Sequence, residues 1–355
     1  MTRKRSALLL SIAALLAFSL CWLLWPASSK STSATSPATS QPATPLALTG
    51  SDKDATTVYA HNLRLRKGNQ FRIYIRWIRG QMLRTKSTEN PSFDDPDSFV
   101  FRLNEGVIHA NLGDIGNYLN TAVPANFPLK HIAVVGEGDQ VRLTGTMHKL
   151  LLPLPVELQT TVSATPDGRI HLHLTRINVL KLPLKALLGG LHVEIDDIMG
   201  KSPLIGVEVS KNDLFFDTTK LLPPPHIRGH LTSVRVDRPD LVLIYGDAPT
   251  DETALAKWHN FLRLEGGTLN FGKLSMHPTD LTLIDASNSA WFDLDLVNYQ
   301  AQLVNGYSRM TPEAGLEVFM PSLDDKTPPK QANQAITLEW LRNRNQSLPA
   351  DVPVH

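Results

Sequence analysis

Three segments near the middle of the chain alternate apolar and polar residues: Gln140-Val-Arg-Leu-Thr-Gly-Thr-Met-His148, Val156-Glu-Leu-Gln-Thr-Thr-Val-Ser163 and Arg169-Ile-His-Leu-His-Leu-Thr-Arg176. Val141, Leu143 and Gly145 point one way and Gln140, Arg142 and Thr144 the other; Ile170, Leu172 and Leu174 alternate with His171, His173 and Thr175. Successive side chains of an extended chain lie on opposite faces, so this pattern buries one face only as strands. Thr165-Pro-Asp-Gly168 supplies a turn between the second and third segments, which makes their pairing antiparallel. Next comes Ile177-Asn-Val-Leu-Lys-Leu-Pro-Leu-Lys-Ala-Leu-Leu-Gly-Gly190, too apolar for a surface loop. Pro183 suits the first turn of a short helix there, and Gly189-Gly190 ends it. The expected fold class is α+β and β-rich: a curled antiparallel sheet with a few short helices packed on its apolar face.

The flanking sequence extends this pattern. Strands are expected over 58–65 and 70–79, the second with Phe71, Ile73, Ile75 and Trp77 on one face and Arg72, Tyr74 and Arg76 on the other. A hairpin is expected over 99–110, and a helix over 111–120 capped by Asn111. Strands resume at 205–209 and 213–216. Leu221-Leu-Pro-Pro-Pro-His226 is a rigid connector, and a hairpin over 229–245 closes the unit. Beyond a boundary at 247–253, a short helix over 254–264, strands at 267–271, 273–276 and 281–284, a helix over 293–306 and a strand at 315–319 are expected. In the helix over 293–306, Leu294, Val297, Ala301 and Val304 fall in register.

The N-terminus has a different character. Arg3-Lys-Arg5 precedes twenty uncharged residues, 6–25, with Trp22 and Trp25 near the far end. At about 1.5 Å per residue a helix of that length spans the hydrocarbon core, and the basic cluster stays on the cytoplasmic side. An uncleaved membrane anchor is preferred to a cleaved signal, whose apolar stretch is usually shorter; Ala27-Ser-Ser29 would be the cleavage site. Leu20 before Cys21 is too bulky for a lipoprotein signal. Either way, the part after Pro26 is expected outside the cytoplasm, periplasmic or extracellular, and secreted if the signal is cleaved. The Ser, Thr, Ala and Pro of 26–56 read as a flexible stalk. The expected organisation is therefore an anchor or signal at 1–25, a stalk at 26–56, a β-rich domain at 57–247, a β-rich extension with one helix at 248–320 and a polar tail at 321–355.

Charge and composition exclude several functions. Of 35 Lys and Arg, three lie in the first five residues, and the other 32 face 34 Asp and Glu. Such a chain lacks the basic surplus of a nucleic-acid binder. Cys21 is the sole cysteine, so no intrachain disulfide and no multi-thiolate zinc site can form. Phosphate-loop, nucleophile-elbow and His-Glu-x-x-His signatures are absent, and no catalytic residue, metal site or cofactor is expected. Weaker constellations read as ordinary surface. They are the Arg72 and Arg76 row, which could bind phosphate; His171 and His173, which could share a metal but lack a third ligand nearby in sequence; His226 and His230; the acidic loop at 90–97; and the carboxylate pairs Asp196-Asp197 and Asp324-Asp325.

The order of elements over 106–246 carries a resemblance. A helix is followed by strands at 141–147 and 156–162, the Thr-Pro-Asp-Gly turn and a strand at 170–176. Then come an apolar helix at 184–188, a strand at 205–209, Asn212-Asp213, Leu-Leu-Pro-Pro-Pro at 221–225 and Ile227-x-Gly-x-Leu231 with a final hairpin. This resembles the LmeA-like cell-envelope proteins, which are associated with phospholipid binding and a tubular lipid-binding (TULIP) fold. Residues 254–319 have no counterpart in it. The resemblance implies an apolar groove between sheet and helices, with Leu150, Leu151, Leu152, Leu154, Leu180, Leu182, Leu184, Leu187 and Leu188 as lining candidates. For any one of these leucines an ordinary core position is the preferred reading, since each contributes about 2 kcal/mol on burial. The expected function is a membrane-anchored, exported binder of lipid or another hydrophobic ligand, acting as carrier, sensor or scaffold. A structural or interaction module with a packed core is the alternative, and a membrane-surface hydrolase a third.

Overall fold

The structure is a computed structural model. It describes residues 54–67, 71–123, 127, 129–149, 152–179, 205–221, 224–253, 260–287 and 289–323. By contact the chain divides between Thr44 and Pro45, and every described residue belongs to the second unit.

Strands β1 (Thr56–Lys67), β2 (Phe71–Arg84) and β3 (Phe99–Asn111) come first, with a 3₁₀ turn at Pro96–Ser98. Helix α1 (Leu112–Ala122) precedes β4 (Leu129–Glu137), β5 (Gln140–Lys149), β6 (Leu152–Ala164) and β7 (Ile170–Val179). Then follow β8 (Val207–Ser210), β9 (Asp213–Phe216) and the single helical turn α2 (Thr218–Leu221). After it come β10 (His226–Gly229), β11 (Leu231–Asp237) and β12 (Asp240–Tyr245). The last part supplies β13 (Phe261–Gly266), β14 (Leu269–Phe271), β15 (Leu274–Met276) and β16 (Thr279–Asp285). It ends with β17 (Phe292–Asp295), helix α3 (Tyr299–Val304), β18 (Tyr307–Met310) and β19 (Leu316–Met320).

Two sheets carry the fold, and neither closes into a barrel. The smaller is antiparallel throughout, in the order β4-β5-β6-β7-β9-β8. The larger runs β11-β12-β3-β2-β1-β13-β16-β19-β18, with β10 alongside β3 and β17 alongside β1. The chain is strand-rich with three short helices among the described residues, which is the expected fold class.

The strands forecast by alternation are present at 58–65, 140–148, 156–163 and 169–176. Elsewhere tertiary pairing overrides the local signal. Residues 99–110 are one continuous strand, not a hairpin, because β3 pairs with β2 along nearly its whole length. Phe261–Gly266 is a strand paired to both β1 and β16, where the sequence suggested the end of a helix. The helix expected over 293–306 shrinks to Tyr299–Val304, because residues 292–295 pair with β1 as β17. The acids of that strand explain the choice: Asp293 takes Arg64 at 2.9 Å and Arg66 at 3.0 Å. Val297 and Val304, placed on the packed face by helical spacing, are exposed, whereas Tyr299 and Gln302 are buried. Within the β-rich extension at 248–320 only the short β14–β15 hairpin forms a sheet of its own. Strands β13 and β17 of the extension both pair with β1, which joins it to the preceding domain.

No helix among the described residues is long and apolar enough to cross a membrane, and the apolar segment 6–25 lies outside them. Also outside are the stalk up to residue 53, the helix expected at 183–190, Asp196-Asp197, Asp324-Asp325 and the polar tail from residue 324 onward.

Candidate functional site

The first turn of α1 sets the geometry of the site. The side chain of Asn111 accepts from the backbone N–H of Asp114 at 3.2 Å and caps the helix. Asp114 in turn receives a forked pair of bonds from Arg72, 2.7 and 2.8 Å, which ties the helix to β2. Asn120 donates to the Ile132 carbonyl at 2.7 Å and accepts from its N–H at 2.7 Å, locking the far end against β4. A helix fixed at both ends then lays Leu112, Ile115, Tyr118 and Leu119 toward the smaller sheet.

Beneath it is an apolar cavity of about 90 Å³. Its walls are Leu112, Ile115, Tyr118 and Leu119 of α1, Val134, Val141 and Leu143 of β4 and β5, and Ile170, Leu172 and Phe216 of β7 and β9. Ala110, Leu241 and Leu243 of the larger sheet and Thr218 of α2 complete it. No polar atom faces the space. Ile115, Tyr118, Leu143 and Phe216 are only half-buried and mark its open side, whereas the other lining residues are buried. Burial raises the pKa of the Tyr118 phenol, so at that side it is a neutral group. The one buried polar side chain within the adjoining face of β6, Thr160, is satisfied by donating to the Val141 carbonyl at 3.0 Å.

The leucines singled out by sequence do not enter this description. Leu150, Leu151, Leu180, Leu182, Leu184, Leu187 and Leu188 lie outside the described residues, as do the side chains of Leu152 and Leu154 at the start of β6. The described lining comes instead from the strand alternation of β5 and β7 and from the apolar face of α1. Spacing alone would have nominated Val141, Leu143, Ile170 and Leu172, but it could not bring Leu241 and Leu243 against them.

Other constellations resolve in different ways. Arg72 and Arg76 are not a phosphate-binding row: Arg72 is held by Asp114, and Arg76 by Glu252 at 3.3 Å and Asn62 at 3.2 Å. In the acidic loop, Asp95 caps the 3₁₀ turn, and Asp94 accepts from the Tyr299 hydroxyl and the Gln300 amide, each at 2.7 Å. His171 and His173 do acquire a third metal-type donor, Asp213, which β9 places opposite His173. That partner lies 40 residues along the chain, beyond any local pattern.

A second polar cluster sits on the large sheet. Glu252 accepts from His109 at 2.6 Å, Arg235 at 2.7 Å and Arg76, and Arg76 stacks 4.3 Å from the Trp291 ring. Burial opposes the charge of Glu252, but the bonds from His109, Arg235 and Arg76 outweigh it and hold its pKa down at about 2. Burial also works against a proton on His109, yet Asp240 and Glu252 raise its pKa above the ordinary value. Every group here is matched, so the cluster reads as a clasp that pins the 247–253 segment to β2, β3 and β11.

Comparison with family models, curated proteins and solved structures finds no match to this chain.

Proposed function

We propose that this protein binds an apolar ligand, a lipid or a similar hydrophobe, with the end of the ligand's chain seated in the cavity beneath α1. The observation that supports this is the cavity's chemistry: an unbroken hydrocarbon lining, open at Ile115, Tyr118, Leu143 and Phe216. Such a space stays dry and favours a carbon chain over water. At about 90 Å³ it has the volume of roughly three water molecules, room for the terminal carbons of a chain and not for a whole lipid. The LmeA-like order of elements points to the same class of ligand. The apolar segment at 6–25, with Arg3-Lys-Arg5 before it, supports a protein held at a membrane with its folded part exported. Among the described residues no nucleophile–base or acid–base pair lines the cavity, which favours a carrier, sensor or scaffold over a hydrolase.

Small size supports the second reading, a structural or interaction module with a packed core, because ligand sites usually enclose about 300 Å³ or more. One experiment separates the two. Native mass spectrometry of the full-length chain in mild detergent is expected to show about one co-purifying lipid per chain. Leu143→Trp, which fills the open side, should abolish uptake of a fluorescent fatty acid while thermal melting stays within a few degrees. A clean ligand-free mass together with no uptake by the wild-type protein overturns lipid binding and leaves the packed module.

A further inference from the structure

On the outer face of the smaller sheet, away from the cavity, three donors of metal-binding type converge. His171 and His173 are two apart on β7, so both project from the face opposite Ile170, Leu172 and Leu174, which are buried. The antiparallel register sets Asp213 directly across from His173 and Phe215 across from His171. Oδ1 of Asp213 lies 2.6 Å from Nε2 of His171 and 2.7 Å from Nδ1 of His173, and the three donor atoms all fall within 4.8 Å of one another. It is the one such cluster of three among the described residues. We propose that His171, His173 and Asp213 bind a divalent first-row transition metal of the zinc class, with at least one coordination position left to water.

Donor type and reach fit this assignment. Two imidazoles and a carboxylate suit zinc and its neighbours, whereas calcium and magnesium prefer all-oxygen sets. With metal–ligand bonds of about 2.0–2.2 Å, donors around a tetrahedral ion sit about 3.3 Å apart. Asp213 therefore has to withdraw by about 0.6 Å from its present hydrogen bonds, and the two imidazole nitrogens, now within 4.8 Å of each other, have to close to about 3.3 Å by rotation of their side chains. The carboxylate now accepts two imidazole N–H groups, and a metal ion would take the place of those two protons.

The surroundings hold the first histidine ready. Nδ1 of His171 lies 3.3 Å from the Ser163 hydroxyl, and Ser163 is its cross-strand partner on β6. The hydroxyl donates when Nδ1 is bare. When a metal takes Nε2, the imidazole proton sits on Nδ1 and the same oxygen accepts it, the outer contact that a ligating histidine usually makes. The Phe215 ring stacks on His171 at 4.8 Å, 9° from parallel, and fixes the ring plane. The nearby Arg169 guanidinium lies over the other partner of this stack, 5.0 Å from Phe215, but it is neutralised by Asp167 and Glu208, each at 2.7 Å. Half-exposed placement leaves the ion a path from solvent.

The test is a calorimetric titration of the purified full-length chain with zinc ion, repeated with cobalt(II) to read coordination from its visible spectrum. One saturable site per chain is expected, with a four-coordinate cobalt spectrum and no ultraviolet thiolate charge-transfer band. His171→Ala and Asp213→Ala should each weaken zinc at least 30-fold, and Ser163→Ala about 10-fold. His226→Ala, on β10 of the larger sheet, should leave it unchanged. Melting of each variant in chelator checks folding; should an alanine variant fail to fold, His171→Gln and Asp213→Asn replace it. Absence of a one-to-one site tighter than millimolar overturns the proposal. So does binding that survives both His171 and Asp213 substitutions, or a cobalt spectrum that reports the Cys21 thiolate.

Discussion

Glu252 ties the 247–253 segment to three strands of the large sheet, through Arg76 of β2, His109 of β3 and Arg235 of β11. It sits among three potential cations, His109, Arg76 and Arg235, with its side chain 13% exposed. Its depressed pKa means that the stabilisation it contributes is complete above its ordinary value of 4.5 and is lost as pH falls toward about 2. His109 has the opposite sign: with a raised pKa its contribution is complete below 6.5 and fades as pH rises through the folded value. Glu252→Gln should therefore flatten both limbs of a plot of melting temperature against pH. At neutral pH it should cost about 1.5–3 kcal/mol, the usual loss for hydrogen bonds to a charged group. A variant whose pH profile runs parallel to the wild type would show that the clasp contributes nothing.

Among the elements, β2 shows how one inserted residue redirects a face. Its register against β3 slips between Ile75 and Trp77, so Ile78 takes the core position that alternation assigned to Trp77. Trp77 turns instead to a satellite cluster with Val107, Val242, Ile244 and Ala248. Opposite the bulge, Asn62 of β1 adopts φ +47, a conformation that asparagine tolerates better than most residues. There β1 changes partners, from β13 over Thr57–His61 to β17 over Leu63–Arg66. A second slip, between Arg79 and Gly80, brings the Arg102 carbonyl onto the spot a Cβ at Gly80 would fill. Gly80→Ala should destabilise the protein by about 1–3 kcal/mol, read as a lower denaturation midpoint with an unchanged slope.

At the scale of the molecule, β1 is the strand that makes one sheet out of two stretches of sequence. It takes β2 on one side and β13 and β17 on the other, and Val58, Ala60 and Leu63 are buried between them. A chain ending at residue 247 would lose β13 and β17 and leave β1 as a long apolar edge, a template for aggregation. Such a truncation should be recovered as soluble aggregate or inclusion bodies. The intact chain should unfold in urea in one transition, superimposable by tryptophan fluorescence and far-ultraviolet circular dichroism. Two separated transitions, or a monomeric folded truncation, would mean that 248–320 is independent.

Much of the small sheet was legible in the sequence, because the apolar–polar alternation of β5, β6 and β7 and the Thr-Pro-Asp-Gly turn are local signals. The Asn111 cap, the exposed histidine face and the β-rich class were legible for the same reason. What lay beyond reach was set by pairing across long separations. Nothing near Asp293 announces that it will meet Arg64, 229 residues away, and so become strand where helical spacing was satisfied. Nothing near His171 announces Asp213, and nothing in β5 announces Leu241 and Leu243 across the cavity. Local periodicity determines which face of a segment is apolar; which apolar faces meet, and which polar groups converge outside them, depends on a sheet order that only the folded chain decides.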